Sequence, residues 1–101
     1  NVPSQVVNLP VPERLQARPH VPIELDLRGQ RAEEALNRFE TYIDDAFQAG
    51  MPFVRIIHGK GTGALRMAVR EAMRSNPLVK TFETPPANEG GEGVTVAILA
   101  G

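Results

Sequence analysis

Hydrophobic and polar positions fall into a short series of regular patterns after residue 22. Ile23-Glu24-Leu25-Asp26-Leu27-Arg28 alternates apolar and charged residues, the period-2 signature of a half-buried strand. Ile23, Leu25 and Leu27 are expected to face the core, with Glu24, Asp26 and Arg28 facing away. Gly29 ends that pattern. From Ala32 to Ala49 the apolar residues Ala35, Leu36, Phe39, Ile43, Ala46 and Phe47 recur at helical spacing, and Gly50 and Pro52 stop the helix. Phe53 to His58 is β-branched and mostly apolar, as a central strand would be. The turn Gly59-Lys60-Gly61-Thr62-Gly63 follows it.

A second helix is expected from Ala64 to Ser75, with Leu65, Ala68, Val69 and Ala72 on its buried stripe and Asn76-Pro77 ending it. Val79 to Glu83 reads as a short strand, Thr84 to Gly93 as a polar Pro/Gly-rich loop, and Val94 to Leu99 as a last apolar strand. The order βαβαββ predicts an α/β two-layer sandwich: a mixed four-stranded sheet carrying both helices on one face, its last two strands antiparallel. No internal repeat is visible. Five of the nine prolines lie in residues 1–22, so that segment reads as a proline-rich linker from an upstream domain and 23–101 as the folded unit.

Composition narrows the function classes. There is no cysteine, which excludes disulfides and thiolate metal sites. No apolar run approaches the roughly 20 residues of a membrane span and no signal peptide is evident, so a cytoplasmic location is expected. The net charge of −1 conceals a polarity: seven acids against three arginines over 24–45, six basic residues against Glu71 alone over 55–80. That asymmetry fits an anionic partner on one face, or an ordinary solvated helix.

The chemistry concentrates at residues 58–66. A strand delivers the chain to a turn whose glycines permit positive φ and close approach of backbone N–H groups to a ligand. A helix then begins, with unpaired N–H groups and the positive end of its dipole. Thr62 or Gly63 is the expected N-cap. Lys60 adds a mobile cation, and Arg66, Arg70 and Arg74 recur every fourth residue as a basic stripe. All of this favours an oxyanion. The turn is not a Walker A loop, since Val54 occupies the place of that motif's first glycine. Gly59-x-Gly61-x-x-Ala64 meets the loose dinucleotide fingerprint, with Glu83 about 20 residues on, but a full dinucleotide domain needs more strands. Three readings stand: a polymer phosphate backbone, a nucleotide, or a turn that merely closes a strand–helix corner.

If the first two strands are parallel neighbours, Asp26 and Arg28 converge with His58 near the turn. His58 could serve as general base or acid, or be a strand-end histidine bonded to backbone. Arg28 could clamp a phosphate bidentately. Asp26 could orient His58 or Arg28, pair with Arg28 alone, or hold a divalent cation. With few other acids at the strand ends, a two-metal site is not expected; one loosely held Mg²⁺ or Mn²⁺ at Asp26 stays open.

Leu25-Asp26-Leu27-Arg28-Gly29, followed about 30 residues later by His58-Gly59-Lys60-Gly61 and then Thr62-Gly63-Ala64-Leu65-Arg66, resembles the Smr (small MutS-related) domain over about 23–101. In that family the first motif often carries histidine where Arg28 stands, and the arginine form is associated with Smr domains that end bacterial MutS paralogues of the second type. The resemblance implies a fold similar to the C-terminal domain of translation initiation factor three. It also implies action on DNA or RNA as a nicking endonuclease, with Asp26, Arg28 and His58 as the catalytic candidates. Gly59, Lys60, Gly61, Thr62, Gly63, Arg66 and Arg70 are then the phosphate-binding candidates. For the parent protein it implies a MutS-related ATPase, homodimeric through regions outside this chain, that suppresses recombination or rescues ribosomes. A binding module without chemistry, docking on nucleic acid or ribosome, is the alternative.

Overall fold

The computed structural model describes residues 20–101; the proline-rich lead-in falls outside them apart from its last three residues. The elements are β1 (Glu24–Asp26), α1 (Ala32–Gln48), β2 (Phe53–Ile57), α2 (Ala64–Ser75), β3 (Val79–Glu83) and β4 (Val94–Leu99), with two 3₁₀ turns, Ala87–Glu89 and Gly91–Gly93, between β3 and β4. The expected order and type of element therefore hold, and both helices pack over one face of a mixed four-stranded sheet.

Strand order is β1-β2-β4-β3. β1 and β2 pair in parallel, while β4 runs antiparallel to both β2 and β3. The crossover β2-α2-β3 thus spans two strand positions. A helix about 10 Å across covers two strand spacings of about 4.8 Å, which leaves a slot that the returning β4 fills.

Alternation sorts the sheet residues. Leu25, Val54, Ile56, Ala97 and Leu99 point under the helices and are buried with Leu27, Ala35, Phe39, Ile43, Ala46, Val69 and Met73 in one core. Phe53, Arg55, Ile57, Val96 and Ile98 occupy the helix-free face and are less covered. Arg55, whose setting the sequence leaves open, lies there and bridges strands: its Nε donates to Glu24 Oε2 at 2.9 Å and a terminal nitrogen donates to the Glu89 carbonyl at 2.8 Å.

Three details differ from the pattern. β1 is shorter than the alternation, and Ile23, just ahead of this edge strand, is 44% exposed rather than in the core. Phe47 is 37% exposed. At 100° per residue it lies, with Leu36, on the rim of a stripe centred on Ala35, Phe39 and Ala46. Tyr42 takes the place on that stripe instead, buried with its hydroxyl donating to the Pro22 carbonyl.

Candidate phosphate-binding edge

The C-terminal ends of β1 and β2 meet, with Leu27 N–H donating to the Ile57 carbonyl at 2.7 Å. This is the edge where open α/β sheets place ligands, and it brings the first motif beside the glycine turn. Arg28 folds back on Asp26: its Nε donates to Oδ1 at 3.0 Å and a terminal nitrogen to Oδ2 at 2.7 Å. The Arg28 backbone N–H adds a third bond to Oδ1 at 3.0 Å. With so many donors to its charged form, Asp26 is held down at a pKa of about 2, chiefly by the Arg28 side chain, and Arg28 is raised in turn by Asp26. The pair is largely solvent-exposed, so it organises the edge more than it stabilises the fold.

Arg28 also packs on the turn. Gly59 has φ +77°, and a Cβ there would sit 3.2 Å from Arg28 Cγ. Glycine is required on both counts.

His58 leaves its strand on the other face from Asp26. Asp26 is in register with Ile57 on the helix-free side, whereas His58, one residue on, turns beneath the helices and is 5% exposed. Its Nδ1 lies 2.9 Å from the Gly59 carbonyl and its Nε2 lies 2.9 Å from Thr95 Oγ1. Asp26 therefore does not orient His58; Thr95 and Gly59 do. Both ring nitrogens are engaged, which leaves no lone pair open to a substrate and so does not suit a general base or acid. Burial is the main cause lowering the His58 pKa, with the charges of Arg70 and Arg66 adding to it and the Gly59 bond opposing it. Thr95, fully buried within an apolar strand, is a site residue that sequence reasoning missed. Its only signal was a hydroxyl at a position whose alternation points into the core.

The turn's amides divide into used and unused. His58 and Gly59 N–H both donate to the Gly93 carbonyl, at 3.1 and 2.9 Å, and Gly63 N–H donates to Lys60 O at 2.9 Å. Thr62 Oγ1 accepts from Ala64 N–H at 3.3 Å, and α2 begins after Gly63, whose φ is +88°. The N–H groups of Lys60, Gly61, Thr62, Leu65 and Arg66 have no acceptor among the described residues. They border a hollow of about 280 Å³ lined also by Gly29, Gln30 and His58, and an adjoining one of about 240 Å³ shared with Arg66 and Glu92. Gln30 Oε1 and Arg66 Nε are buried here without partners. Gln30 is a second residue the motifs did not single out.

The basic stripe is not uniform. Lys60 is exposed beside the hollows. Arg70 is spent internally: Nε donates to Thr95 Oγ1 at 3.0 Å, a terminal nitrogen donates to Thr84 Oγ1, and the guanidinium lies 5.3 Å from the Phe82 ring centre. Arg74 lies 5.5 Å from the same ring and bonds Glu71 at 3.0 Å. Among the described residues the Lys60 and Arg66 side chains thus make no hydrogen bond or ion pair, whereas Arg70 acts as a strut. A divalent ion fits poorly: no group of three potential metal ligands exists among the described residues, and both Asp26 oxygens already receive Arg28.

Fold and edge together define a two-layer α/β domain with a glycine-lined strand–helix corner whose unused N–H groups border an open hollow. The model of the Smr domain family matches residues 25–100, and the chain belongs to that family. It is 60% identical to "Endonuclease MutS2" of Geobacillus thermodenitrificans over 80 residues, covering 79% of this chain and 10% of that protein. The chain therefore spans about a tenth of the length of the curated relatives it matches. The crystal structure of the Smr domain of Thermus thermophilus MutS2 superposes with a TM-score of 0.76 at 46% identity, over 77% of this chain and 98% of that one. YdaL, a stand-alone small MutS-related protein from Escherichia coli, superposes with a TM-score of 0.75 at 26% identity, over 87% and 71%.

Proposed function

We propose that this domain binds nucleic-acid phosphodiesters at the Lys60–Arg66 corner and nicks them there, DNA being the first substrate to test and RNA the second. The observation that carries the binding is the group of unused N–H donors of Lys60, Gly61 and Thr62, beside the cations Lys60 and Arg66, next to the Asp26–Arg28 pair. Amides fixed in this way stabilise a charged, five-coordinate phosphorus without reorganising. A phosphodiester competes with Asp26 for the Arg28 guanidinium. Once Arg28 turns to the phosphate, Asp26 loses its main donors and rises from about 2 towards its ordinary 3.8. It is then able to take the proton of an attacking water as the P–O bond to the leaving oxygen breaks, while Lys60 or solvent protonates that oxygen. His58 acts through the turn rather than on the substrate.

A non-catalytic docking module is the second reading, favoured by the tight Asp26–Arg28 pair and the engaged His58 ring. In either reading the parent is a MutS-related ATPase, homodimeric through other regions, that works in the cytoplasm in recombination suppression or ribosome rescue. The endonuclease name of the relatives supports the first reading. Nicking of supercoiled plasmid, with and without EDTA, by Asp26→Asn, Arg28→Ala and His58→Ala separates the two. Loss of nicking in Asp26→Asn with binding kept, and loss of nicking with weakened binding in Arg28→Ala, support chemistry. Unchanged nicking in these two variants removes it.

A further inference from the structure

We propose that Thr95, backed by Arg70, is a positioning residue that sets the orientation of the Gly59–Lys60 peptide and so presents the Lys60 N–H to the bound phosphate. The inference rests on the reading that this turn receives phosphate, and it follows from accounting for each proton in one buried chain.

A guanidinium can only donate, so the 3.0 Å contact from Arg70 Nε occupies a lone pair of Thr95 Oγ1. At the other end a carbonyl can only accept, so the 2.9 Å contact between His58 Nδ1 and Gly59 O requires the ring proton on Nδ1. The neutral ring then has an unprotonated Nε2, and the 2.9 Å contact to Thr95 is the threonine hydroxyl donating to it. The direction is thus fixed throughout: Arg70 to Thr95, Thr95 to His58, His58 to the Gly59 carbonyl. Thr95 is the one member able to both accept from the arginine and donate to the imidazole, and it is fully buried where water cannot replace it.

The last bond has a geometric consequence. Across a trans peptide the C=O and the next N–H point in opposite directions, and none of the peptide bonds among the described residues is cis. A Gly59 carbonyl held inward on His58 therefore turns the Lys60 N–H outward, towards the hollow that Lys60 lines. A ring protonated at Nε2 instead would set two lone pairs, Nδ1 and the Gly59 oxygen, against each other. The glycine at 59, at φ +77°, would be free to turn its peptide over, and the Lys60 donor would be lost.

The test uses Thr95→Val, which keeps the shape and removes the hydroxyl, and Thr95→Ser, which restores it. Urea unfolding first establishes that each variant folds. Imidazole ¹⁵N NMR, with His20 assigned by His20→Gln, should report the Nδ1–H tautomer for His58 in the native domain and in Thr95→Ser, and a mixed or Nε2–H ring in Thr95→Val. Binding to a short duplex DNA should weaken about tenfold in Thr95→Val, the scale of one hydrogen bond to a charged group, and recover in Thr95→Ser. The slope of log affinity against log salt should stay unchanged, because no cation is removed. An Nε2–H ring in the native domain, or native binding and tautomer in Thr95→Val, overturns the proposal. If the native domain binds no duplex, the phosphate reading fails by itself; the tautomer and the Lys60 amide shift then still decide whether Thr95 sets the turn.

Discussion

Alanine at position 59 provides a test of how the glycine turn and the Asp26–Arg28 pair are coupled. The backbone there has φ +77°, a region that costs an L-residue about 1–2 kcal/mol. The added methyl would also meet Arg28 Cγ at 3.2 Å and Cδ at 3.6 Å, the former inside the optimal carbon–carbon separation of about 3.5–4.0 Å. The exposed Arg28 stem must give by a few tenths of an ångström, which misaligns its guanidinium on the Asp26 carboxylate and weakens those bonds. An exposed pair of this kind contributes at most about 1 kcal/mol, so the stability loss in Gly59→Ala should be close to the backbone cost alone. Gly61→Ala is the control: φ is +40° and the space around it is open, so it carries a backbone cost of similar order and touches nothing. Urea unfolding should therefore show both variants destabilised to a similar extent. What separates them is Asp26. Followed by carboxyl-carbon NMR, Asp26 should titrate near 2 in the native domain and in Gly61→Ala, and move up towards 3.8 in Gly59→Ala. An unchanged Asp26 titration in Gly59→Ala would show that the turn does not hold Arg28, and an unchanged stability would show that the left-handed backbone is not enforced.

Other outcomes follow from the same geometry. Lys60→Ala and Arg66→Ala should each flatten the salt dependence of DNA binding by about 0.9 for every phosphate no longer neutralised, whereas Arg70→Ala should mainly lower the urea midpoint, since Arg70 is bonded to Thr95 and Thr84. Stability against pH should fall in two acid limbs. Folding lowers the His58 pKa, so below about 6.5 the unfolded ring takes a proton that the native one resists, and His58→Gln should remove that limb. Folding also lowers Asp26, so the stability it contributes is present above 3.8 and is lost as pH falls towards 2, a limb absent in Asp26→Asn. Tyr42 is the only tyrosine and there is no tryptophan, so tyrosinate absorbance reads one group; burial should delay its ionisation to about pH 12, and native-state ionisation near 10 would contradict the buried Pro22 contact.

Much of the domain was legible in the chain itself because its cues are local. Side-chain period distinguishes Leu25-Asp26-Leu27 from Ala35-Phe39-Ile43 whatever they later touch, and Gly59, Gly61 and Gly63 mark a turn wherever it lands. The two motifs placed Asp26, Arg28 and the 58–63 turn at one edge, because strands of a parallel pair end on the same side. What the period could not supply was partnership. That β4 enters between β2 and β3 depends on pairing across some 40 residues of chain. The single residue separating Ile57 from His58 then decides that the imidazole goes under the helices, away from Asp26, to meet Thr95. Arg66 and Arg70 look alike in sequence; only the packed structure sets one at the hollow and stacks the other on Phe82. Local periodicity determines which face a residue takes, because it is a property of the backbone. Which donor meets which acceptor is decided by tertiary contact, because hydrogen bonds are short and directional and their partners here are distant in the chain.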